Sequence, residues 1–152
     1  MFSADFIWNY TDEYSIESIY DGSTTYYAGE ITTPEHRANL NLAYSLDDVS
    51  VSWRIRHWDS SVDSLNGENY NYTTRQPYGE YNYVGSVTYH DISARYYLND
   101  NFEFNVGIRN AFDKQPPILP QGSNSGSTGI NTASEAYDVT GRYYFAGVTM
   151  RF

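Results

Sequence analysis

The side chains best able to do chemistry are three histidines, His36, His57 and His90, a set of carboxylates, and groups of tyrosines and arginines. A metal centre needs two or more ligands at short, regular spacing. The histidines stand far apart with no second ligand at such spacing, and there is no cysteine, so no metal and no cofactor is expected. His90 beside Asp91, with serines nearby, has the composition of a hydrolase relay. Neighbouring residues of a strand point to opposite faces, however, so the two cannot work together, and no catalysis is assigned. Asp47 and Asp48 lack the further oxygen ligands of a calcium loop and fit a turn better. What remains is contact with a ligand. Tyr70, Tyr72 and Tyr78, followed by Tyr81 and Tyr83, carry rings with polar tips that either stack on a glycan or anchor at an interface. Arg54, Arg56, Arg95 and Arg109 either touch a ligand or pair with acids along a polar wall. The stretch 121–131, QGSNSGSTGIN, could hydrogen-bond a sugar, but its composition is that of a flexible loop.

Composition narrows the classes further. Nine Lys and Arg against nineteen Asp and Glu leave a net charge of −10, which argues against a nucleic-acid partner, because phosphate backbones require clustered positive charge. The 152 residues include 17 Tyr, 7 Phe and 3 Trp, an aromatic content of 18% that calls for an explanation. No run of about 18 apolar residues exists, so no transmembrane helix is expected. Asp5, Asn9, Asp12 and Glu13 interrupt the N-terminal aromatics before a secretory signal could form. The mean hydropathy of −0.62 decides nothing for a chain that alternates polar and apolar side chains.

The elements that must position these residues are strands. Val49, Val51, Trp53, Ile55 and His57 alternate with Ser50, Ser52, Arg54, Arg56 and Trp58, a period of two. Before them Ala38, Leu40, Leu42, Tyr44 and Leu46 alternate with Arg37, Asn39, Asn41, Ala43 and Ser45, and Asp47 and Asp48 form a tight turn between the two runs. A further strand is expected from about 82 to 98, and Asn99, Asp100 and Asn101 turn the chain into Phe102–Arg109. Tyr144, Ala146, Val148, Met150 and Phe152 share one face of a closing strand, and residues 2 to 20 are expected to supply a sixth. Three long polar segments, 21–36, 59–81 and 111–138, alternate with the short turns. Periodicity alone fits either a half-buried sheet of a soluble sandwich or an outer-membrane barrel. The strict alternation of long and short connections and the aromatic excess favour the barrel, in which external loops are long and periplasmic turns short. If the apolar parity faces lipid, Arg54, Arg56, Arg95 and Arg109 face the lumen with Glu103 and Asn105.

The end of the chain resembles a known family, the TonB-dependent receptors, which are plugged outer-membrane transporters of Gram-negative bacteria. The segment NAFDKQPP places Asn110, Phe112, Asp113, Pro116 and Pro117 where the family has an Asn-x-Phe-Asp and Pro-Pro motif. YDVTGRYYFAGVTMRF supplies Tyr137, Asp138, Gly141, Arg142 and a terminal Phe152 similar to the family's closing strand. The segment TPEHRANLNLAYSLDDVSVSWRIRHWDSS resembles the subgroup associated with carbohydrate uptake. In physical terms, Asn110 and Asp113 can bond backbone groups at a strand end, and the prolines then end ladder pairing. Gly141 and Gly147 are expected to leave room for a neighbouring backbone or a bulky tyrosine.

The resemblance implies an all-β fold: an antiparallel transmembrane β-barrel segment of about six meandering strands, residues 1–152 being the C-terminal part of a barrel domain with no plug domain. Family barrels have about 22 strands around a plug, so the remainder of the barrel and the plug are implied partners, as is outer-membrane lipid. The TonB complex would act only through the plug. Tyr144, Val148, Met150 and Phe152 match the signal read by the barrel-assembly machinery. The implied function is import across the cell outer membrane of a nutrient such as an oligosaccharide or an iron chelate, by passage and not by an enzyme's chemistry, with Tyr70, Tyr72, Tyr78 and the four arginines as candidate ligand contacts. The competing reading is a soluble carbohydrate-binding β-module.

Overall fold

The computed structural model describes residues 1–63, 83–119 and 131–152. Its strands are β1 (Phe2–Tyr10), β2 (Ser15–Glu17), β3 (Thr24–Tyr26), β4 (His36–Leu46), β5 (Val49–Trp58), β6 (Ser61–Val62), β7 (Tyr83–Val84), β8 (Val87–Asn99), β9 (Phe102–Arg109) and β10 (Tyr143–Met150). Six of them form one antiparallel sheet in the order β1-β4-β5-β8-β9-β10, while β2 pairs with β3 and β6 with β7. The fold is all-β and a meander, as the alternation predicted.

The register carries the parity of each strand across the whole sheet. Ala4, Leu42, Trp53, Ile92, Ile108 and Tyr144 form one cross-strand row, and Phe2, Tyr44, Val51, Ala94, Val106 and Ala146 form another. Paired residues share a face. One face of the sheet is therefore apolar from edge to edge. The other carries Asn41, Arg54, Asp91 and Arg109 in line, beside Asp5. Trp53 and Phe104, near the middle of the apolar face, are each 38% exposed, and nothing among the described residues covers them. A second sheet would cover such a face in a soluble sandwich; the two short pairs β2–β3 and β6–β7 do not.

The turns follow local chemistry. Asp47 takes the left-handed conformation (φ 49°) between β4 and β5, a role a short polar side chain can fill where no glycine is present. Asn99 Oδ1 accepts hydrogen bonds from the amides of Asn101 (2.9 Å) and Phe102 (3.0 Å), closing β8 onto β9 next to a register shift at Tyr97/Asn99. These two turns define a turn end of the sheet, and the long connections define the opposite, loop end.

Three expectations need correction. The first strand ends at Tyr10, not near residue 20: Thr11 bonds back to the Glu35 carbonyl, and the apolar residues beyond it form the separate β2–β3 hairpin. The last strand ends at Met150, so Phe152 lies beyond it and is fully exposed, although the Arg151 amide still reaches the Asn101 carbonyl (2.9 Å). Gly147 makes room for the Asn105 amide, which a Cβ there would meet at 2.7 Å, and not for a tyrosine. The glycine that receives an aromatic ring is Gly107: a Cβ would sit 2.3 Å from Phe145 Cζ.

The buried core lies at the loop end and not on the sheet's broad apolar face. Val87 and Tyr89 of β8 gather Ile31, Val84, Leu119, Ala133, Ala136 and Tyr137, with Trp58 packed alongside.

Candidate functional site

The polar face near the loop end concentrates charged, aromatic and hydrogen-bonding groups from β5, β8 and the segment before β10. It is built by parity. Arg54, Arg56 and Trp58 of β5 project to the same side as Tyr89 and Asp91 of β8, because i and i+2 share a face and the register pairs Arg54 with Asp91 and Arg56 with Tyr89. Arg56 reaches diagonally to Asp91, with Nε 2.9 Å from Oδ2 and Nη2 3.1 Å from Oδ1, a two-pronged charge-assisted pair. Its Nη2 also lies 3.8 Å from Asp138. The same guanidinium stacks 5.7 Å from the Trp58 ring centre and 5.2 Å from that of Tyr89, and Arg37 covers Trp58 at 5.4 Å. Trp58 and Tyr89 meet edge to face at 5.9 Å.

The segment before β10 docks on this ladder. The amides of Ala136 and Tyr137 both return to the Ala133 carbonyl in one tight turn, and Tyr137 is buried in the loop-end core. Burial pushes the Tyr137 phenol above its ordinary range. The next residue, Asp138, donates its amide to the Tyr89 hydroxyl (3.2 Å). Together Arg54, Arg56, Arg109, Trp58, Tyr137 and Asp138 border an open cavity of about 440 Å³.

The four sequence-predicted arginines thus separate into two groups. Arg54, Arg56 and Arg109 converge on this cavity, Arg54 donating to Asn41 Oδ1 at 2.9 Å. Arg109 has no ion pair among the described residues. Arg95 lies four residues along β8 from Asp91, roughly 13 Å toward the turn end, and is engaged there: Nε is 2.8 Å from Glu103, which Arg151 also approaches at 3.6 Å. Tyr70, Tyr72 and Tyr78 lie outside the described residues, as does nearly all of the 121–131 stretch. Sequence reading missed Trp58, Tyr89 and Arg37 as partners of the arginines. The available signal was the polar parity of β5 and β8 followed outward to their loop-end residues.

The connection from β9 to β10 is held by its own polar groups. Asn110, fully buried and left-handed (φ 49°), donates Nδ2 to the Lys114 carbonyl (2.9 Å) and accepts the Lys114 amide on Oδ1 (2.8 Å), while its own amide binds Asp91 Oδ1 (3.0 Å). Asp91 therefore links the Arg56 ladder to this loop. Asp113, also left-handed (φ 53°), accepts the Arg142 amide at 2.9 Å, and its carboxylate lies 3.1 Å from where a Cβ on Gly141 (φ 74°) would be. Phe112 packs edge-on against His90 at 4.8 Å on the apolar face, while Pro116 and Pro117 carry the chain onward without pairing. Tyr144, Val148 and Met150 stand exposed on the apolar face of β10. His90 shares that face and Asp91 the polar one, so the two point apart.

Comparison with known proteins agrees with this architecture. The sequence model of the family described as TonB dependent receptor-like, beta-barrel matches residues 2–111. That match covers the 33–61 segment that resembles the family and ends at the start of the NAFDKQPP segment. Among solved structures, the siderophore receptor PirA of Acinetobacter baumannii is 20% identical, with a TM-score of 0.64 over 99% of this chain and 20% of its own. The ferric enterobactin receptor PfeA of Pseudomonas aeruginosa is 22% identical, with a TM-score of 0.57 over 85% of this chain and 19% of its own. The ferric-catecholate import receptor Fiu of E. coli K12 is 20% identical, with a TM-score of 0.54 over 85% and 17%. At such identity the likeness is one of fold. The chain spans about a fifth of the length of these receptors. No curated protein sequence matches it.

Proposed function

The chain belongs to the TonB-dependent receptor β-barrel family, and from that premise we propose that it forms part of the wall of an outer-membrane importer in a Gram-negative bacterium, with an iron chelate as the imported nutrient. The observation that carries the reading is the two-faced sheet: one side apolar from β1 to β10 with its large residues exposed, the other lined with paired charges. A hydrocarbon phase satisfies the first side and a water-filled lumen the second. The sheet edges on β1 and β10 have no strand partner among the described residues. Backbone groups left unpaired in lipid each cost several kcal/mol, so further strands must complete the ring. On this reading residues 1–152 are the C-terminal part of the barrel domain, the loop end faces outward, and a plug carries the coupling to the TonB complex. Tyr144, Val148, Met150 and Phe152 then serve the barrel-assembly machinery.

The cavity under the docked 131–138 turn is lined by Arg54, Arg56 and Arg109 together with Asp91, Glu135 and Asp138. Arg56 engages Asp91 and Asp138, and Arg54 and Arg109 are the cations that support a contact with anionic groups of a chelate, a contact a neutral oligosaccharide does not use. The solved structures of like fold are a siderophore receptor, a ferric enterobactin receptor and a ferric-catecholate import receptor, which favours the same choice. An oligosaccharide held by Tyr70, Tyr72 and Tyr78 is the second reading, which the aromatic-rich 70–83 sequence keeps open. The deciding experiment is uptake by cells whose sole receptor is the complete protein. Arg109→Glu should lower transport of radiolabelled ferric chelates about tenfold or more, as loss of a charge-assisted contact and its replacement by repulsion imply. Unchanged iron uptake together with lost oligosaccharide uptake in a Tyr70→Ala, Tyr72→Ala protein would replace the first reading by the second.

A further inference from the structure

The cavity at the mouth is balanced in charge, although an anion is to enter it. Three arginines, Arg54, Arg56 and Arg109, border it together with three carboxylates, Asp91, Glu135 and Asp138. A further negative group binds there well only where one of these carboxylates yields its place. Asp91 is fixed. It takes both prongs of Arg56, at 2.9 and 3.1 Å, and its Oδ1 also accepts the Asn110 amide at 3.0 Å. Glu135 is exposed and makes no ion pair among the described residues, so it withholds no cation from a ligand.

Asp138 differs from both. Its Oδ2 lies 3.8 Å from Arg56 Nη2, beyond hydrogen-bonding distance, and its Oδ1 accepts the Thr140 amide at 3.1 Å. The two side chains of this pair are 23% and 17% exposed, so water and salt screen it. Asp138 lies outside every strand, and its backbone amide, bonded to the Tyr89 hydroxyl at 3.2 Å, ties it to the sheet. The carboxylate can therefore swing away while the turn stays docked. Asp138 also joins two spaces, because with Arg109 it borders both the 440 Å³ cavity and a neighbouring one of about 340 Å³ completed by Thr140 and Tyr143. It is the carboxylate common to both, as Arg109 is the common cation.

We propose that the Asp138 carboxylate is an internal competitor for the anion site: it holds the place at Arg56, beside Arg109, that an anionic group of the chelate takes, and so sets how much negative charge a ligand must bring. The proposal rests on the iron-chelate reading above and names the residue that makes its mouth selective. A ligand with several anionic groups displaces Asp138, because it offers the arginines more than one partner at once. A neutral ligand leaves the carboxylate in place, and the arginines then contribute nothing to its binding.

The test is equilibrium binding of two radiolabelled probes to the complete receptor: a ferric tris-catecholate, which is strongly anionic, and a ferric tris-hydroxamate, which is neutral. Asp138→Asn keeps the backbone bond to Tyr89 and an oxygen for the Thr140 amide, so the turn stays in place. It should tighten binding of the tris-catecholate about three- to fivefold, the strength of a partly exposed ion pair, and leave the tris-hydroxamate unchanged. Glu135→Gln removes the same charge from the same cavity but frees no arginine, and should leave both affinities nearly unchanged. Unchanged or weaker tris-catecholate binding by Asp138→Asn overturns the proposal and leaves Asp138 a turn residue, while the iron-chelate reading stands. An equal gain in Glu135→Gln, or a gain for both probes in Asp138→Asn, also overturns it, since total charge or added space would then account for the result. Failure of the tris-catecholate to bind the unaltered receptor removes the reading of an anionic chelate, and this proposal with it.

Discussion

Two apolar regions of this molecule obey opposite rules. On the broad face of the sheet, Phe104 and Trp53 are 38% exposed and Val106 is 53% exposed, although their rows are the most regular apolar pattern in the chain. At the loop end, Tyr89, Leu119, Ile31 and Ala133 are all but sealed, although they come from four separate stretches with no common period. The chain buries the irregular set within itself and leaves the regular set bare. Burial in water is driven by removing apolar surface from solvent, so the loop-end cluster is a small aqueous-type core, while the sheet face depends on a phase outside the protein.

Replacement of the most buried side chain has the largest expected effect and probes the first region. Tyr89→Ala removes a fully buried ring, the stack against Arg56 and the acceptor of the Asp138 amide at one stroke. A loss of about 3–5 kcal/mol is expected, as for other large-to-small core changes. Hydrogen exchange should show it as exposure of the 131–138 turn while the β9–β10 ladder stays protected. Equal loss in both places would mean that the two regions are one cooperative unit.

Ile92→Arg probes the second region. At a water-exposed surface such a change stays within about 0.5 kcal/mol. Near the middle of a lipid-facing strand it costs about 2–4 kcal/mol. Urea titration of the assembled receptor in vesicles separates the two values, and a result near zero would place the face in water.

Much of this contrast was legible in the sequence, and its limits were physical. The period of two in 37–46, 49–58 and 102–109 fixed strands and faces, because one face meets a single phase throughout its length. The loop-end core was not legible, since Ile31, Leu119, Ala133 and Tyr137 are brought together by the sheet and not by spacing. Tyr14, Ile16, Ile19 and Tyr20 are strand residues by type, yet the first strand ends before them, where Thr11 turns to Glu35. The arginines were placed on the correct face, but their partners were hidden because Arg56 pairs diagonally with Asp91 and not with Tyr89 opposite.

A smaller effect is expected where the polar face is packed by shape. Gly107 lies under the Phe145 ring, and a Cβ there also approaches the Ile92 carbonyl at 3.0 Å. Gly107→Ala should cost about 1–3 kcal/mol, the usual range for overpacking, in the same urea titration. Phe145→Leu in the same protein should recover part of it, because the clash is mainly with the ring. If the double variant is no better, the backbone approach to Ile92 dominates.

The smallest effect concerns the β2–β3 hairpin, which shares neither the sheet's outside phase nor the sealed cluster. Its turn is held by a carboxylate: Asp21 accepts the Ser23 amide (3.1 Å) and hydroxyl (2.8 Å) beside Gly22 in the left-handed region (φ 69°). Hydrogen bonds from Ser18 and Ser23 hold the Asp21 carboxyl at about 2, below its ordinary 3.8. A depressed value in the folded state means that the ionised form is the one the turn favours. Its contribution is therefore complete above pH 4 and is lost as pH falls from about 4 to about 2. The group is solvent-exposed, so the loss is local: the protection of the Ser23 amide, its exchange relative to the intrinsic rate at each pH, should fall across that window while the protection of Tyr89 and the β9–β10 amides is unchanged. Asp21→Asn should make the Ser23 protection insensitive to the same pH change. If the loop-end cluster opened together with Ser23, the hairpin would belong to the aqueous core after all, and the division of the molecule would have to be redrawn to include it.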